Sequence, residues 1–280
     1  MRDIDVSLVT QTVRDMCIDV NHELSPDMKE AFNEACSKEE SELGKQIFKQ
    51  LQQNLDIAKA DKIPICQDTG MAVVFLEIGQ DVHIEGMDLT EAVNEGVRQG
   101  YRDGYLRKSV VGDPLIRKNT GDNTPAVIHT AIVPGDKIKM TIAPKGFGSE
   151  NMSKIYMLKP ADGEEGVKNA IIEAVKAAGP NACPPVVVGV GIGGTFEMSA
   201  ILAKKALLRP LGEHSSLPHI KALEEEMFKT INELNIGPGG FGGKTTALGI
   251  NIETYPTHIA GLPVAVNICC HVNRHVTRVI

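Results

Sequence analysis

The run Pro185-Val-Val-Val-Gly-Val-Gly-Ile-Gly-Gly194 constrains the fold more than any other stretch of this 280-residue chain. Its β-branched residues, with prolines before and glycines after, specify a strand buried in a sheet, and such strands are covered by helices. The flanks agree, because helices are expected at about 164–178 and 195–208. Further strands are expected at 71–78, 247–254 and 263–268, and further helices at 89–104 and 219–234. Residues 126–133 and 137–142, joined by Pro134-Gly135-Asp136, read as a hairpin.

The first sixty residues read as helical. Val9, Val13, Met16, Cys17 and Val20 recur at helical spacing, and Ser25-Pro26 offers a cap with proline in the first turn. Ser37-Lys-Glu-Glu40 has the capping-box pattern and should open a helix running to about Ala60. The expected fold class is mixed α/β (α+β), in a single domain over 1–280. A helical N-terminal layer over 1–60 should precede an α/β core over 61–280, where a mixed sheet and glycine-rich loops build a site.

Charge narrows the function. The chain carries 29 Lys and Arg against 36 Asp and Glu, a net charge of −7, whereas nucleic-acid binders need a basic surplus to displace counterions. It has no Trp, so a base-stacking platform is not expected either. The two long uncharged stretches, 179–196 and 254–273, are interrupted by Pro and Gly and do not suit a membrane span. An N-terminus of Met-Arg-Asp-Ile-Asp is unlike a secretory signal, so a cytoplasmic protein is expected.

Three glycine-rich loops suggest anion binding, since glycine lets backbone N–H groups approach a ligand closely. Gly189-Val-Gly-Ile-Gly-Gly194 sits between a strand and a helix, as a dinucleotide fingerprint would, but no second strand ending in an acid follows. The loop from Gly237 to Thr246 looks like a P-loop, yet Pro238 stands where the first glycine must be. The third loop is Lys145-Gly-Phe-Gly-Ser-Glu-Asn151.

The six cysteines are at 17, 36, 66, 183, 269 and 270. Cys17 and Cys36 fall within expected helices and read as small core residues. Cys66, Cys183 and the Cys269-Cys270 pair instead stand in turn-like settings at element ends, where sites are built. The absence of any C-x-x-C excludes ordinary zinc ribbons and bacterial ferredoxin-type electron carriers. Three dispersed cysteines suit a [4Fe–4S] cluster whose fourth iron stays open as a Lewis acid.

The neighbours of those cysteines form longer blocks. Ile65-Cys-Gln-Asp-Thr-Gly70, Leu106-Arg-Lys-Ser-Val-Val111, Asn181-Ala-Cys-Pro-Pro185 with the run after it, Gly240-Phe-Gly-Gly-Lys-Thr-Thr246, and Thr257-His-Ile-Ala-Gly-Leu-Pro-Val-Ala-Val-Asn267 with its Cys-His ending occur in this order. Together they resemble the alpha portion of class I, iron–sulfur fumarate hydratases, within the fumarase–tartrate dehydratase family. The resemblance implies a hydro-lyase with Cys66, Cys183 and Cys270 as cluster ligands, Cys270 being preferred to Cys269. It also implies that Gln67, Arg107 and Gly148 bind a dicarboxylate and that Asp68 and His258 serve catalysis. Arg107 offers a planar fork for a carboxylate, Asp68 can carry a proton at the leaving hydroxyl, and His258 can hydrogen-bond the substrate.

Single-chain relatives continue into a swivelling domain, and this sequence stops at Ile280, just after the last block. The resemblance therefore implies an alpha subunit that needs a separate beta subunit, as an α2β2 assembly. Fumarate hydration is the expected reaction, with an L(+)-tartrate dehydratase alpha subunit as the alternative. A non-catalytic iron–sulfur binding or sensing subunit and a nucleotide-binding protein are the rivals from other classes.

Overall fold

The chain opens with a short strand and three helices and then mixes strands with helices. The computed structural model describes residues 1–280. In chain order its elements begin with β1 (Arg2–Asp5), α1 (Val6–His22), α2 (Pro26–Lys38), α3 (Glu42–Asp61), β2 (Met71–Gly79), β3 (Val82–Glu85) and α4 (Leu89–Asp103). Next come β4 (Val127–Val133), β5 (Ile138–Lys145), α5 (Phe147–Glu150), β6 (Lys154–Leu158), α6 (Gly163–Ala178) and β7 (Val186–Gly193). The last are α7 (Phe196–Ala206), α8 (Pro218–Asn232), β8 (Ala247–Tyr255), β9 (Leu262–Cys269) and β10 (Val276–Val279). The fold is mixed α/β, as expected. No helix is long and apolar enough to cross a membrane.

The chain gathers into two compact units, one of Met1–Ser25, Asn54–Gly146 and Arg274–Ile280, the other of Pro26–Gln53 and Phe147–Asn273. The first unit is organised around β2, a nearly continuous apolar strand. Its sheet has the order β10-β5-β2-β4, with β4 parallel to β2 and β5 antiparallel to it. Ala72, Val74 and Leu76 of β2 pack with Val9, Val13 and Met16 of α1, Val93 and Val97 of α4, and Ile138 and Met140 of β5. Close packing of α4 on α1 depends on Gly96 and Gly100, where a Cβ would stand 2.7 Å from the Cβ atoms of Val13 and Cys17.

Two sequence expectations fail in this unit. The pair 126–133 and 137–142 does form strands, but they are not a hairpin, because β2 lies between them and uses both its edges. The turn at 134–136 carries the chain past the end of β2, where Gly79 N–H donates to Lys137 O at 2.8 Å and Gln80 N–H to Val133 O at 2.8 Å. The helical start also begins with a strand, β1, which pairs in parallel with β3. Neither these two strands nor β6 and β10 were expected, all being four or five residues long.

In the second unit the sheet order is β6-β9-β7-β8, with β7 parallel to β8 and antiparallel to β9. The alternation in β7 explains its sequence. Val186, Val188 and Val190 join Ile171 and Ala174 of α6 and Leu223, Met227 and Ile231 of α8 in one core. On the opposite face, a Cβ on Gly189 would meet Ala203 O at 2.3 Å and one on Gly191 would meet Ser199 O at 2.1 Å. The dinucleotide-like glycines are therefore seats for α7 rather than a phosphate loop. A Gly191→Ala variant must push α7 off the sheet, and such overpacking costs about 3 kcal/mol, which a urea melt should record. A melt unchanged within error would refute this packing role.

The helix ends also differ from expectation. Helix α2 begins at Pro26, but the Ser25 hydroxyl is buried without a partner and does not cap it. Ser37 lies inside α2 and donates to Glu34 O at 2.7 Å. The helix to Asp61 opens instead after Ser41, whose Oγ accepts from Gly44 N–H at 3.2 Å.

Candidate active site

In the first unit, two loops carry Cys66, Gln67, Asp68 and Arg107. The segment 66–70 enters β2 and is fastened by its main chain. Ile65 N–H donates to Asn21 O at 2.9 Å, and Asn54 Nδ2 donates to Ile65 O at 2.8 Å. Asp68 closes a tight turn, its Oδ1 accepting from Gly70 N–H at 3.0 Å. Its carbonyl receives the Arg274 guanidinium at 2.6 Å, and a Cβ on Gly146 would come within 3.0 Å of its Oδ2. Cys66 Sγ lies 3.4 Å from Gln67 Oε1. Cys66 and Asp68 are half-buried, while the Gln67 and Arg107 side chains are exposed. The structure brings Arg107 beside this segment, since Thr69 Oγ1 donates to Arg107 O at 3.1 Å.

The second unit holds the other candidates. Cys183 is exposed, with φ at +54°, and leads into β7. Its carbonyl lies 3.0 Å from His271 Nδ1 and also accepts from His271 N–H at 3.3 Å. Because Cys269 pairs with Val187 across β9 and β7, this unit brings the Cys183 segment and Cys270 to the same sheet end. Cys269 is buried and Cys270 half-buried, as neighbours on opposite faces of a strand end should be. The hydrogen bond with Cys269, with burial behind it, pushes the Cys270 thiol well above its ordinary value.

His258 rides on a turn after β8 that the glycines of the 191–194 loop support. Gly194 N–H donates to Pro256 O at 3.2 Å, Thr257 Oγ1 donates to Gly194 O at 2.9 Å, and a Cβ on Gly193 would overlap Tyr255 O at 2.0 Å. Ala260 N–H donates to His258 Nδ1 at 3.2 Å, so the ring proton of the neutral imidazole sits on Nε2. The side chain is exposed and borders a cavity of about 460 Å³ together with His219, Ile192, Ile259 and Leu262. Gly148 lies in α5, and nothing stands within 4 Å of where its Cβ would be.

The P-loop-like segment has a different occupant from the one its sequence suggests. Glu39, 2% exposed, puts its carboxylate into the turn. Oε1 accepts from Glu40 N–H and Ser41 N–H at 3.0 Å each and from Lys244 N–H at 3.1 Å, while Oε2 accepts from Thr245 N–H at 3.1 Å. Sequence reasoning paired Ser37 with Glu40 in a capping-box pattern, gave Glu39 between them no role, and so missed this one. It also missed Tyr101, Asn123 and Arg274, whose hydrogen bonds to distant main-chain groups leave no local pattern.

Two further features hold none of the candidates. A cavity of about 520 Å³ between α2 and α8 is lined by Ala31, Ala35, Phe228, Asn232 and Leu248. Asp3, His83 and Glu85, on the paired strands β1 and β3, bring their ligand atoms within 4.8 Å of one another on the surface.

With this geometry in place, likeness to known proteins defines the class. The model of the fumarate hydratase (Fumerase) family matches residues 10–279. The chain belongs to that family and is a hydro-lyase chain. A Methanocaldococcus jannaschii protein, provisionally named L(+)-tartrate dehydratase subunit alpha, is 44% identical over 257 residues, covering 90% of each chain. The L(+)-tartrate dehydratase subunit alpha of Escherichia coli K12 is 30% identical over 275 residues, 97% of this chain and 90% of the relative. The protein of the same name from Shigella sonnei has the same identity and coverage.

Proposed function

We propose that this chain is the alpha subunit of an iron–sulfur hydro-lyase that interconverts fumarate and L-malate together with a separate beta subunit, as an α2β2 assembly in the cytoplasm. The observation that carries the reading is the family match over residues 10–279. The relatives' names, each a subunit alpha, support the partner.

Cys66, Cys183 and Cys270 are the proposed ligands of a [4Fe–4S] cluster. The donor chemistry fits. All three stand outside any disulfide at element ends, and thiolate sulfur is the ligand such clusters take. The partial exposure of Cys270, against the buried Cys269, supports its choice as the third ligand. When bound, a cluster with one iron free of protein ligands supplies a Lewis acid for substrate oxygens.

The remaining roles fall to side chains. Arg107 takes one substrate carboxylate in its bidentate fork, and Gln67 hydrogen-bonds beside it. Gly148 leaves room for close approach to the main chain. His258 donates from Nε2, because Nδ1 is occupied by Ala260 N–H. Asp68 moves the proton at the substrate hydroxyl oxygen. Proton transfer at C3 is left to the beta subunit, which also excludes water.

A second reading, L(+)-tartrate dehydration, is favoured by the relatives' names. The test is anaerobic co-purification with the beta subunit, then iron analysis and turnover of fumarate and L-tartrate. About four irons per alpha chain are expected for the cluster, with fumarate as the better substrate. Cluster content should survive Cys269→Ser and vanish with Cys270→Ser. Exclusive tartrate turnover would select the second reading, a cluster without turnover would favour a sensing subunit, and an iron-free complex would end all three.

A further inference from the structure

One face of α4 fastens both substrate loops of the first unit. Asn94, Arg98 and Tyr101 are spaced i, i+4, i+7 and so line up on the same side of the helix. Asn94 Oδ1 accepts from Ala126 N–H at 2.9 Å. Arg98 Nε donates to Asp122 Oδ2 at 3.0 Å, and Asp122 Oδ1 accepts from Thr124 N–H at 3.0 Å. Burial pushes the Asp122 carboxyl up, but the hydrogen bonds from Thr124 and Arg98 outweigh it and hold the group at about 2. The turn at 122–126 is thus tied to α4 from both ends.

Between those ties stands Asn123, 0% exposed, with its backbone at φ +65°. Its two amide ends point to different loops. Oδ1 accepts from Ser109 N–H at 2.6 Å and Val110 N–H at 3.3 Å, on the segment that carries Arg107. Nδ2 donates to Gly70 O at 3.1 Å, on the segment that carries Asp68. The Tyr101 hydroxyl reaches the same segment, lying 2.7 Å from Thr69 O and 3.0 Å from Gly70 O. Together with the Arg274 contact to Asp68 O, carbonyls 68, 69 and 70 are each held by a buried side chain.

We propose that Asn123, assisted by Tyr101, is a positioning residue that fixes Arg107 relative to Asp68, so that one substrate is held and its proton transferred in a single geometry. The inference rests on the proposed function, which assigns those two residues to the substrate. A displacement of about 1 Å between reacting groups costs on the order of 10²-fold in rate. One buried amide spanning both loops is the means of preventing it.

The test is steady-state kinetics of the alpha–beta complex carrying Asn123→Asp, which keeps the acceptor toward Ser109 and Val110 but removes the donor toward Gly70. Tyr101→Phe is the second variant, since it deletes one hydroxyl from an otherwise unchanged ring. For Asn123→Asp, KM for the dicarboxylate should rise at least about tenfold and kcat should fall as well. Tyr101→Phe should move both in the same direction by a smaller factor. In an Arg107→Ala background, Asn123→Asp should add less than about threefold in KM, because the side chain it positions is gone. A lower kcat at unchanged KM in both variants would mean only that less protein is folded and would overturn the inference. So would a full multiplicative KM loss in the Arg107→Ala background. If Asn123→Asp does not fold, Tyr101→Phe with wild-type KM overturns it alone. A folded wild-type complex with no turnover of any dicarboxylate would remove the proposed function and this inference together, whereas active wild type with unaffected variants removes the inference only.

Discussion

Replacing Arg107 by Ala is expected to lower kcat/KM of the assembled enzyme for its dicarboxylate by about 10²- to 10³-fold. A carboxylate in a guanidinium fork makes two charge-assisted hydrogen bonds, and bonds to charged groups contribute about 1.5–3 kcal/mol each. They are not additive, and the exposed side chain makes part of that stabilisation compete with water. About 3–4 kcal/mol remains, and each 1.4 kcal/mol is tenfold. Arg107→Lys keeps the charge but loses the planar fork, so it should recover only part of the loss. Stability should be unchanged within about 0.5 kcal/mol, because an exposed side chain is removed while the loop stays anchored through its own backbone. Thr69 Oγ1 still holds Arg107 O, and Asn123 still holds Ser109 and Val110. Kinetics alongside a thermal melt separates the two effects. Wild-type kcat/KM in Arg107→Ala would withdraw the residue from the substrate.

Which parts of this molecule could be read beforehand follows from the range of the forces involved. The β7 run and α6, α7 and α8 around it were legible, since strand and helix periodicities are local and their cores are large. Strand partners were not. The turn at Pro134-Gly135-Asp136 reports that the chain reverses there, but not that β2 will lie between the two arms. The candidate cysteines stood out by their turn-like settings, but the choice of three ligands and the substrate residues were visible only through whole motif blocks, because isolated Asp or Arg residues have no signature. Their supports were not visible at all. Asn123 reaches Gly70 across 53 positions, and no period encodes such a contact. The nearest local clue was Asn94, Arg98 and Tyr101, polar or amphipathic residues recurring on one helix face, where a core would ordinarily be apolar throughout.

The glycine-rich loop before β8 gives the second large effect, this time on stability. Glu39→Ala is expected to destabilise the protein by about 3 kcal/mol. Of the four N–H groups that the carboxylate accepts, those of Glu40 and Ser41 are its own neighbours and can turn to water when it is gone. Those of Lys244 and Thr245 belong to a loop 205 and 206 positions away, the Thr245 bond being buried and the Lys244 bond partly so. Leaving each unsatisfied costs about 1–3 kcal/mol. The site is shaped for this side chain, since a Cβ on Gly44 or Gly243 would come within 2.9 Å or 2.8 Å of Glu39 atoms. Burial pushes the carboxyl up, but the four backbone donors outweigh it and hold it below its ordinary value. The stabilisation is therefore fully present above the unfolded carboxyl value of about 4.3 and is lost as pH falls through the lower folded value. A urea melt at pH 7 should separate wild type from Glu39→Gln, whose amide can accept from some of these donors but also turns an N–H group toward others. Below about pH 4 the gap should narrow, and a pH-independent gap would show that the charge is not what the loop binds. Because the protein's own carboxylate fills the N–H cradle, ATP or inorganic phosphate should leave the wild-type melting temperature unchanged. The resemblance to a P-loop is thus physical after all, with Glu39 in the place of the phosphate.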